Sequence, residues 1–166
     1  MKYILALFAV FLVLGCVNMP NNSNNTLNSS VVAAGDHVSV DYTGKLQDGT
    51  VFDSSIGRTS LEFDAGGGQM IKGFDAAVIG MGEGEKKTVT LSPEDAYGMP
   101  NPNLIVNISI KNVPNGTKVG DVLYANNQRV VVVAVTNETV TIDANHALAG
   151  KTLIFDIKVV RIVKKS

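Results

Sequence analysis

Two aromatic rings and a carboxylate, Tyr42, Phe52 and Asp53, stand on either side of a tight turn. Val38-Ser-Val-Asp-Tyr42 alternates apolar and polar residues, the period of a strand with one buried face. Asp48-Gly49 supplies the turn, because glycine accepts the positive φ such turns demand. Thr50-Val-Phe-Asp53 then runs back. With both rings directed inward near one end of the sheet, they line either an ordinary core or the wall of an apolar pocket. Asp53 is the more telling residue, since a carboxylate beside apolar groups requires hydrogen-bond partners. Metal chemistry has little to build on. The two histidines, His37 and His146, lie far apart and Cys16 is the only cysteine, so a structural zinc site lacks ligands.

The elements that must hold these residues are mostly strands. At 166 residues the chain suits one domain, or one and a small second. It is 45% hydrophobic and 17% charged, a globular composition, and its net charge of -1 argues against an electrostatic claim on nucleic acid. Strand patterns begin near Ala34. After Leu61-Glu-Phe-Asp64 the run Gly66-Gly-Gly68 breaks the chain. Phe74, Ala77, Val78 and Met81 then recur at helical spacing, which predicts one short amphipathic helix ending at Gly80 or Gly82. Lys87-Thr-Val-Thr-Leu91 alternates again. Ser92-Pro-Glu-Asp95 reads as a turn or short helical start. Beyond Met99 charges thin out, and Ile105–Ile110, Val130–Val135 and Thr139–Ile142 predict a small all-β unit near the lower size limit for independent folding. Lys151 to Val163 is a long alternating strand with Leu153, Phe155, Ile157 and Val159 on one face.

The N-terminus reads as a targeting segment. Lys2 precedes an apolar run from Ile4 to Gly15, too short to span a bilayer and typical of a signal peptide over 1–15. Val13-Leu-Gly-Cys16 resembles a lipobox, although leucine is usual where Val13 stands, so lipidation at Cys16 is expected. An Asn- and Ser-rich stretch completes a flexible tether over 16–33. An exported protein with a single cysteine has no internal disulfide, and its fold must rest on its core. Sequons at Asn21, Asn24, Asn28, Asn107, Asn115 and Asn137 exceed the roughly two that chance would supply, but an Asn-rich tether inflates the count.

Val40-Asp-Tyr-Thr-Gly-Lys-Leu46, Asp48-Gly-Thr-Val-Phe-Asp-Ser54, Gly68-Gln-Met-Ile-Lys-Gly-Phe74, Gly80-Met-Gly82 and Pro93-Glu-Asp-Ala-Tyr-Gly98 occur in order. This combination resembles the FKBP-type peptidyl-prolyl isomerases. Asn145-His-Ala-Leu-Ala-Gly-Lys-Thr-Leu-Ile-Phe155 is similar to the return strand of the SlyD-type branch, in which an insert-in-flap domain interrupts the flap. The resemblance covers roughly Ala34 to Lys164. It implies an α+β, mostly β fold: a bent antiparallel sheet around one short helix (34–98 and 143–166) carrying a small inserted all-β domain (99–142).

The resemblance also implies an isomerase pocket between helix and sheet. Tyr42, Phe52, Asp53, Ile71 and Tyr97 would be the catalytic residues, and Met70, Phe74, Leu148 and Phe155 would bind substrate. The Ile71 N–H and the Tyr97 hydroxyl would bond substrate carbonyls, with Phe74 as the floor. An Xaa-Pro bond rotates slowly because amide resonance must be lost, a barrier of about 18–20 kcal/mol. A water-poor pocket favours the twisted amide, which has less charge separation than the planar one. That chemistry asks for no nucleophile, metal or cofactor. The insert would bind unfolded or extended chains, and its apolar strands suit strand addition at a sheet edge, although alternation must bury half of those residues in its own core. Two departures stand out. Ala147 replaces the proline usual after Asn-His, and the chain ends Val-Lys-Lys-Ser166 without a metal-binding tail, so neither nickel nor zinc is expected. The partners expected are therefore unfolded or proline-containing polypeptides, with a membrane tether and no nucleic acid, the protein acting as a monomer. The competing readings are a non-catalytic peptide-binding holdase on the same fold and a structural surface lipoprotein.

Overall fold

The computed structural model describes residues 31–166. The expected leader, Cys16, residues 17–30 of the expected tether and the sequons at Asn21, Asn24 and Asn28 lie outside the described residues; Val32, expected in the tether, is instead buried and exchanges backbone hydrogen bonds with Gly80 and Met81. Ten elements follow in order: β1 (His37–Leu46), β2 (Val51–Ser54), β3 (Leu61–Asp64), α1 (Lys72–Val78), β4 (Lys86–Leu91), β5 (Ile105–Ser109), β6 (Val122–Ala125), β7 (Gln128–Val135), β8 (Thr139–Asp143) and β9 (Leu153–Val163). They form a five-stranded antiparallel sheet with one short helix, and a separate four-stranded antiparallel sheet, the α+β, mostly β architecture expected from the sequence.

The long strands β1 and β9 pair along their whole length from His37↔Val163 to Leu46↔Leu153. Strand β4 covers the other edge of β9, while β2 and β3 share the other edge of β1. The alternation of β9 reaches Val159 with Leu153, Phe155, Ile157 and Val159 all buried. There the register shifts: Ser39 faces Arg161 but Val40 faces Val159, which leaves Val160 as a bulge. Val160 and Arg161 are consecutively exposed, and Ile162 resumes the inner face against the core. A bulge of this kind bends a strand and increases its twist, which curls the sheet toward the helix.

Helix α1 buries Phe74, Ala77 and Val78 against Val38, Val40, Phe63 and the inner residues of β9. It ends earlier than the spacing predicts. Ile79 is already extended, and Gly80 at φ +85° turns the chain so that Met81 is buried from outside the helix. The buried Asp75 fastens the preceding loop: its carboxylate accepts the Gly66 N–H at 2.7 Å and the Gly68 N–H at 3.0 Å. Between Gly68 and α1 lie Met70 and Ile71, so this clasp fixes the segment that borders the cleft.

The second sheet runs β5-β8-β7-β6 and buries Val130, Val132, Val140 and Ile142. Two details differ from expectation. Strand β5 stops at Ser109, because Ile110 starts a 3₁₀ turn and donates its N–H to Glu138. The short β6 was not anticipated; the left-handed Asn126 and Asn127, φ 50° and 64°, fold it back on β7 in a two-residue hairpin. The two chain crossings between the sheets lie side by side. Gly98 O accepts from Gly150 N at 2.8 Å, and Asn101 N donates to Asn145 Oδ1 at 2.8 Å.

A buried carboxylate secures the C-terminal end of β9. Asp36 accepts from Lys164 Nζ and Ala33 N, each at 2.7 Å, and from Lys165 N at 3.1 Å. The Lys164 bond, followed by the Ala33 N–H, holds its carboxyl down at about 2 against an ordinary 3.8. Since the folded value lies below the unfolded one, the stability it contributes is complete above 3.8 and lost as pH falls toward about 2. Thermal melts across that interval are expected to show a steeper loss for the wild type than for Asp36→Asn, which has no charge to protonate. Parallel curves would show that Asp36 does not govern this acid transition.

Candidate active site

The cleft forms where β1, β2 and β9 pass the start of α1. It encloses about 290 Å³ and is lined by Tyr42, Phe52, Asp53, Leu61, Gln69, Met70, Ile71, Phe74, Tyr97 and Phe155. Four rings interlock at its base. Phe74 stands edge-to-face with Tyr42 at 5.8 Å and with Phe155 at 5.2 Å, and Phe155 does the same with Phe52 at 5.6 Å. Edge-to-face packing is the favoured arrangement of aromatic quadrupoles, so the base is stiff as well as apolar.

Strand register explains how Phe52 joins this cluster. Gly44 faces Asp53 and Lys45 faces Val51, leaving Phe52 as the extra residue of a bulge in β2. Its ring lies over Gly44, where an added Cβ would stand 2.6 Å from Phe52 Cζ and 2.9 Å from Phe155 Cε1. Only a residue without a side chain permits that approach. Gly44 is a site residue that composition did not disclose. The signal for it was an isolated glycine inside an otherwise alternating strand.

Asp53 finds the partners its setting requires. It accepts from the Tyr42 hydroxyl, from Arg58 Nη2 at 2.7 Å and from the Ser54 N–H at 2.8 Å. Arg58 also donates to the Ser54 carbonyl, and it was not foreseen because it acts from the loop after β2. The Tyr42 bond first, then Arg58, draws the Asp53 carboxyl below its ordinary range. Burial first, then the Asp53 bond, pushes the Tyr42 phenol up to about 12. Both effects keep Tyr42 neutral and donating, and Asp53 ionised and accepting. Asp53→Asn is expected to lower the Tyr42 titration toward its ordinary 10 without reaching it, because burial persists. Ultraviolet difference titration with Tyr42→Phe as reference reads this. An unchanged phenol would show that the bond does not contribute.

Met70 and Ile71 line the cleft from the segment just before α1. Ile71 precedes α1 in an extended conformation, its carbonyl accepting from Phe74 N and Asp75 N. Among the described residues its own N–H has no protein acceptor. Tyr97 closes one side, following the 3₁₀ turn Pro93–Asp95. Leu148 is placed differently: it packs against the core beside the cleft and is not among the lining residues. Leu61 and Gln69 do line it, although the sequence assigned neither a role: Gln69 lies within the Gly68–Phe74 motif and Leu61 in the strand before it. Cys16 lies outside the described residues.

A larger depression, about 490 Å³, lies on the outer face of the sheet among Asp41, Lys86, Thr88, Asp156 and Lys158. Tyr42 is its single aromatic residue, and its Asp156 is engaged by Thr88 at 2.6 Å and by the neighbouring Lys45 at 2.7 Å. The inner cleft, by contrast, gathers Tyr42, Phe52, Phe74, Tyr97 and Phe155, the flat apolar surfaces that suit a pyrrolidine ring. Among the described residues no three His, Cys, Asp or Glu side chains are grouped to hold a metal ion.

The chain matches the sequence profile of FKBP-type peptidyl-prolyl cis-trans isomerases over residues 29–160. It belongs to that family. The FKBP-type chain is 38% identical to the short-type peptidyl-prolyl cis-trans isomerase of Methanocaldococcus jannaschii over 147 residues, covering 78% of this chain and 93% of that one. It is 35% identical to the peptidyl-prolyl isomerase SlyD of Treponema pallidum over 128 residues, 74% and 73% of the two chains. The 16 kDa FKBP-type isomerase of Escherichia coli is 31% identical over 143 residues, 81% and 95%. As an FKBP-type isomerase the protein catalyses rotation about Xaa-Pro bonds of polypeptides. The cleft is equipped for that reaction, which breaks no σ bond and needs a surface that receives proline and excludes water.

Proposed function

We propose that the isomerase binds proline in the aromatic cleft and holds extended or unfolded clients on its second sheet, acting on exported proteins from a membrane tether. In the cleft, Phe74 supports the proline ring while Tyr42, Phe52 and Phe155 wall it. The Ile71 N–H and the Tyr97 hydroxyl bond substrate carbonyls on either side of the rotating bond, and Asp53 fixes Tyr42. The two donors hold the peptide, and because the water-poor aromatic walls favour the twisted amide over either planar isomer, the binding there is differential and lowers the barrier. The Ile71 N–H, which has no acceptor among the described residues, supports that role because it is available to a substrate carbonyl.

The observation that carries the chaperone reading is the exposure of apolar side chains on the second sheet, residues 99–142 in this assignment. Val122 and Tyr124 stand on its β6 edge and Ile105 and Val106 on its β5 edge, Tyr124 with three-quarters of its surface in water. Open apolar edges are templates for strand addition. The adjacent crossings at Gly98–Gly150 allow removal of 100–141 with a short turn joining the ends. The shortened protein is expected to keep its activity on a tetrapeptide and lose about tenfold or more on a proline-limited refolding protein, an avidity effect of two linked sites. Equal losses on both substrates would contradict the division of labour, provided melts show the remainder folded. Cys16→Ala is expected to release the protein from the membrane fraction; unchanged fractionation would remove the lipid tether from the account.

A further inference from the structure

The imidazole of His146 lies flat on the ring of Tyr97, centroids 3.8 Å apart and planes within 5°. These residues occupy the two crossings, Tyr97 where the chain leaves the first sheet and His146 where it returns. The other rings of the cleft brace one another edge-to-face. Tyr97 is not braced that way. Among the described residues its ring pairs with His146 alone, its hydroxyl has no protein partner, and 38% of the residue is exposed. The stack is the one ring contact that bears on its plane among the described residues.

His146 is itself a fixed platform. Its Nδ1 accepts from Leu148 N at 3.1 Å, which assigns the proton of the neutral ring to Nε2. Its carbonyl accepts from Ala149 N at 2.9 Å. The neighbouring Asn145 clasps the outgoing crossing in both directions, accepting from Asn101 N and donating to Asn101 O at 3.1 Å. The ring that carries Tyr97 is thus bonded to the returning crossing, and its neighbour Asn145 joins that crossing to the outgoing one.

We propose that His146 is a positioning residue of the isomerase: its ring holds Tyr97 so that the hydroxyl stays at the cleft mouth, where it meets a substrate carbonyl. This rests on the substrate-binding role assigned to Tyr97. The effect expected from losing one aromatic contact is about threefold to tenfold in kcat/KM. It falls mainly on KM, because the hydroxyl binds planar and twisted amides alike.

Two variants separate the stack from the loop. His146→Asn keeps a side-chain acceptor for Leu148 N and removes the ring; His146→Phe keeps a ring face and removes the acceptor. Steady-state isomerisation of a tetrapeptide is expected to show raised KM for His146→Asn and near wild-type KM for His146→Phe. In a Tyr97→Ala background His146→Asn should add nothing. Tyr97 ring-proton resonances should move downfield in His146→Asn as the imidazole ring current is lost, a readout independent of activity and of modest destabilisation. A wild-type KM for His146→Asn, an equal defect in His146→Phe, or an undiminished effect without Tyr97 would overturn the proposal. If Tyr97→Phe itself leaves KM unchanged, the substrate role of Tyr97 fails first. If Tyr97→Phe raises KM and His146→Asn does not, the positioning role alone fails.

Discussion

Gly44→Ala is expected to lower kcat/KM by about a hundredfold, the penalty typical of ångström-scale misplacement in a site. The new methyl would stand 2.6 Å from Phe52 and 2.9 Å from Phe155, so at least one ring must move. Phe155 is packed into the core and has nowhere to go. Phe52 sits on a four-residue edge strand at a bulge and is half-buried, so it yields. The wall of the cleft swings out while the fold persists, at about 1–3 kcal/mol of overpacking. Peptide isomerisation and thermal melting measured on one preparation check both halves. Activity within threefold of wild type would show that the Phe52 wall does not need its place over Gly44.

Phe155→Ala has the larger effect on stability. Phe155 is 5% exposed and packs against Tyr42, Phe52 and Phe74. Truncation leaves a cavity beneath all three, at a cost of about 3–5 kcal/mol. Against the 5–15 kcal/mol typical of a whole protein this is severe, and the expected drop in Tm is about 10–15 °C. Phe155→Leu retains most of the volume and is expected to melt within a few degrees of wild type yet lose activity, because the aromatic wall is gone. A wild-type rate in Phe155→Leu would reduce Phe155 to a core residue.

Much of this arrangement was legible in the residues. Leu153, Phe155, Ile157 and Val159 alternate because one face of β9 meets the helix and the other meets water, so period alone located the central strand. The same logic located Phe74, Ala77 and Val78 on α1. The ordered motifs then united Tyr42, Phe52, Asp53, Met70, Ile71, Phe74, Tyr97 and Phe155, and one cleft holds them all. Leu148 stands apart because, from the loop before β9, it packs partly buried against the core and does not line the cleft.

What stayed illegible depends on geometry that composition does not encode. The bulge that tips Phe52 over Gly44 is a matter of register, and one residue of slip changes which face a side chain takes. Arg58 reaches Asp53 from an irregular loop, where no periodicity points inward. His146 meets Tyr97 only because the insert leaves and returns at one place. Strand β6 is four residues long, and Val-Leu-Tyr-Ala lacks the alternation that marks longer strands. The helix ended before its apolar spacing did, since Met81 is buried by the turn after Gly80 rather than by α1.

The central claim is that the aromatic cleft is where Xaa-Pro rotation is catalysed. The most direct measurement is exchange spectroscopy on a short proline-containing peptide with wild type and Phe52→Ala, following protein amide and ring resonances in the same samples. Catalysed cis-trans exchange is expected with wild type, with shifts at the Ile71 amide and the Tyr42, Phe74 and Tyr97 rings, and exchange should fall at least tenfold in Phe52→Ala. Exchange that survives Phe52→Ala undiminished, or shifts confined to the outer depression around Asp41, Lys86 and Lys158, would contradict it.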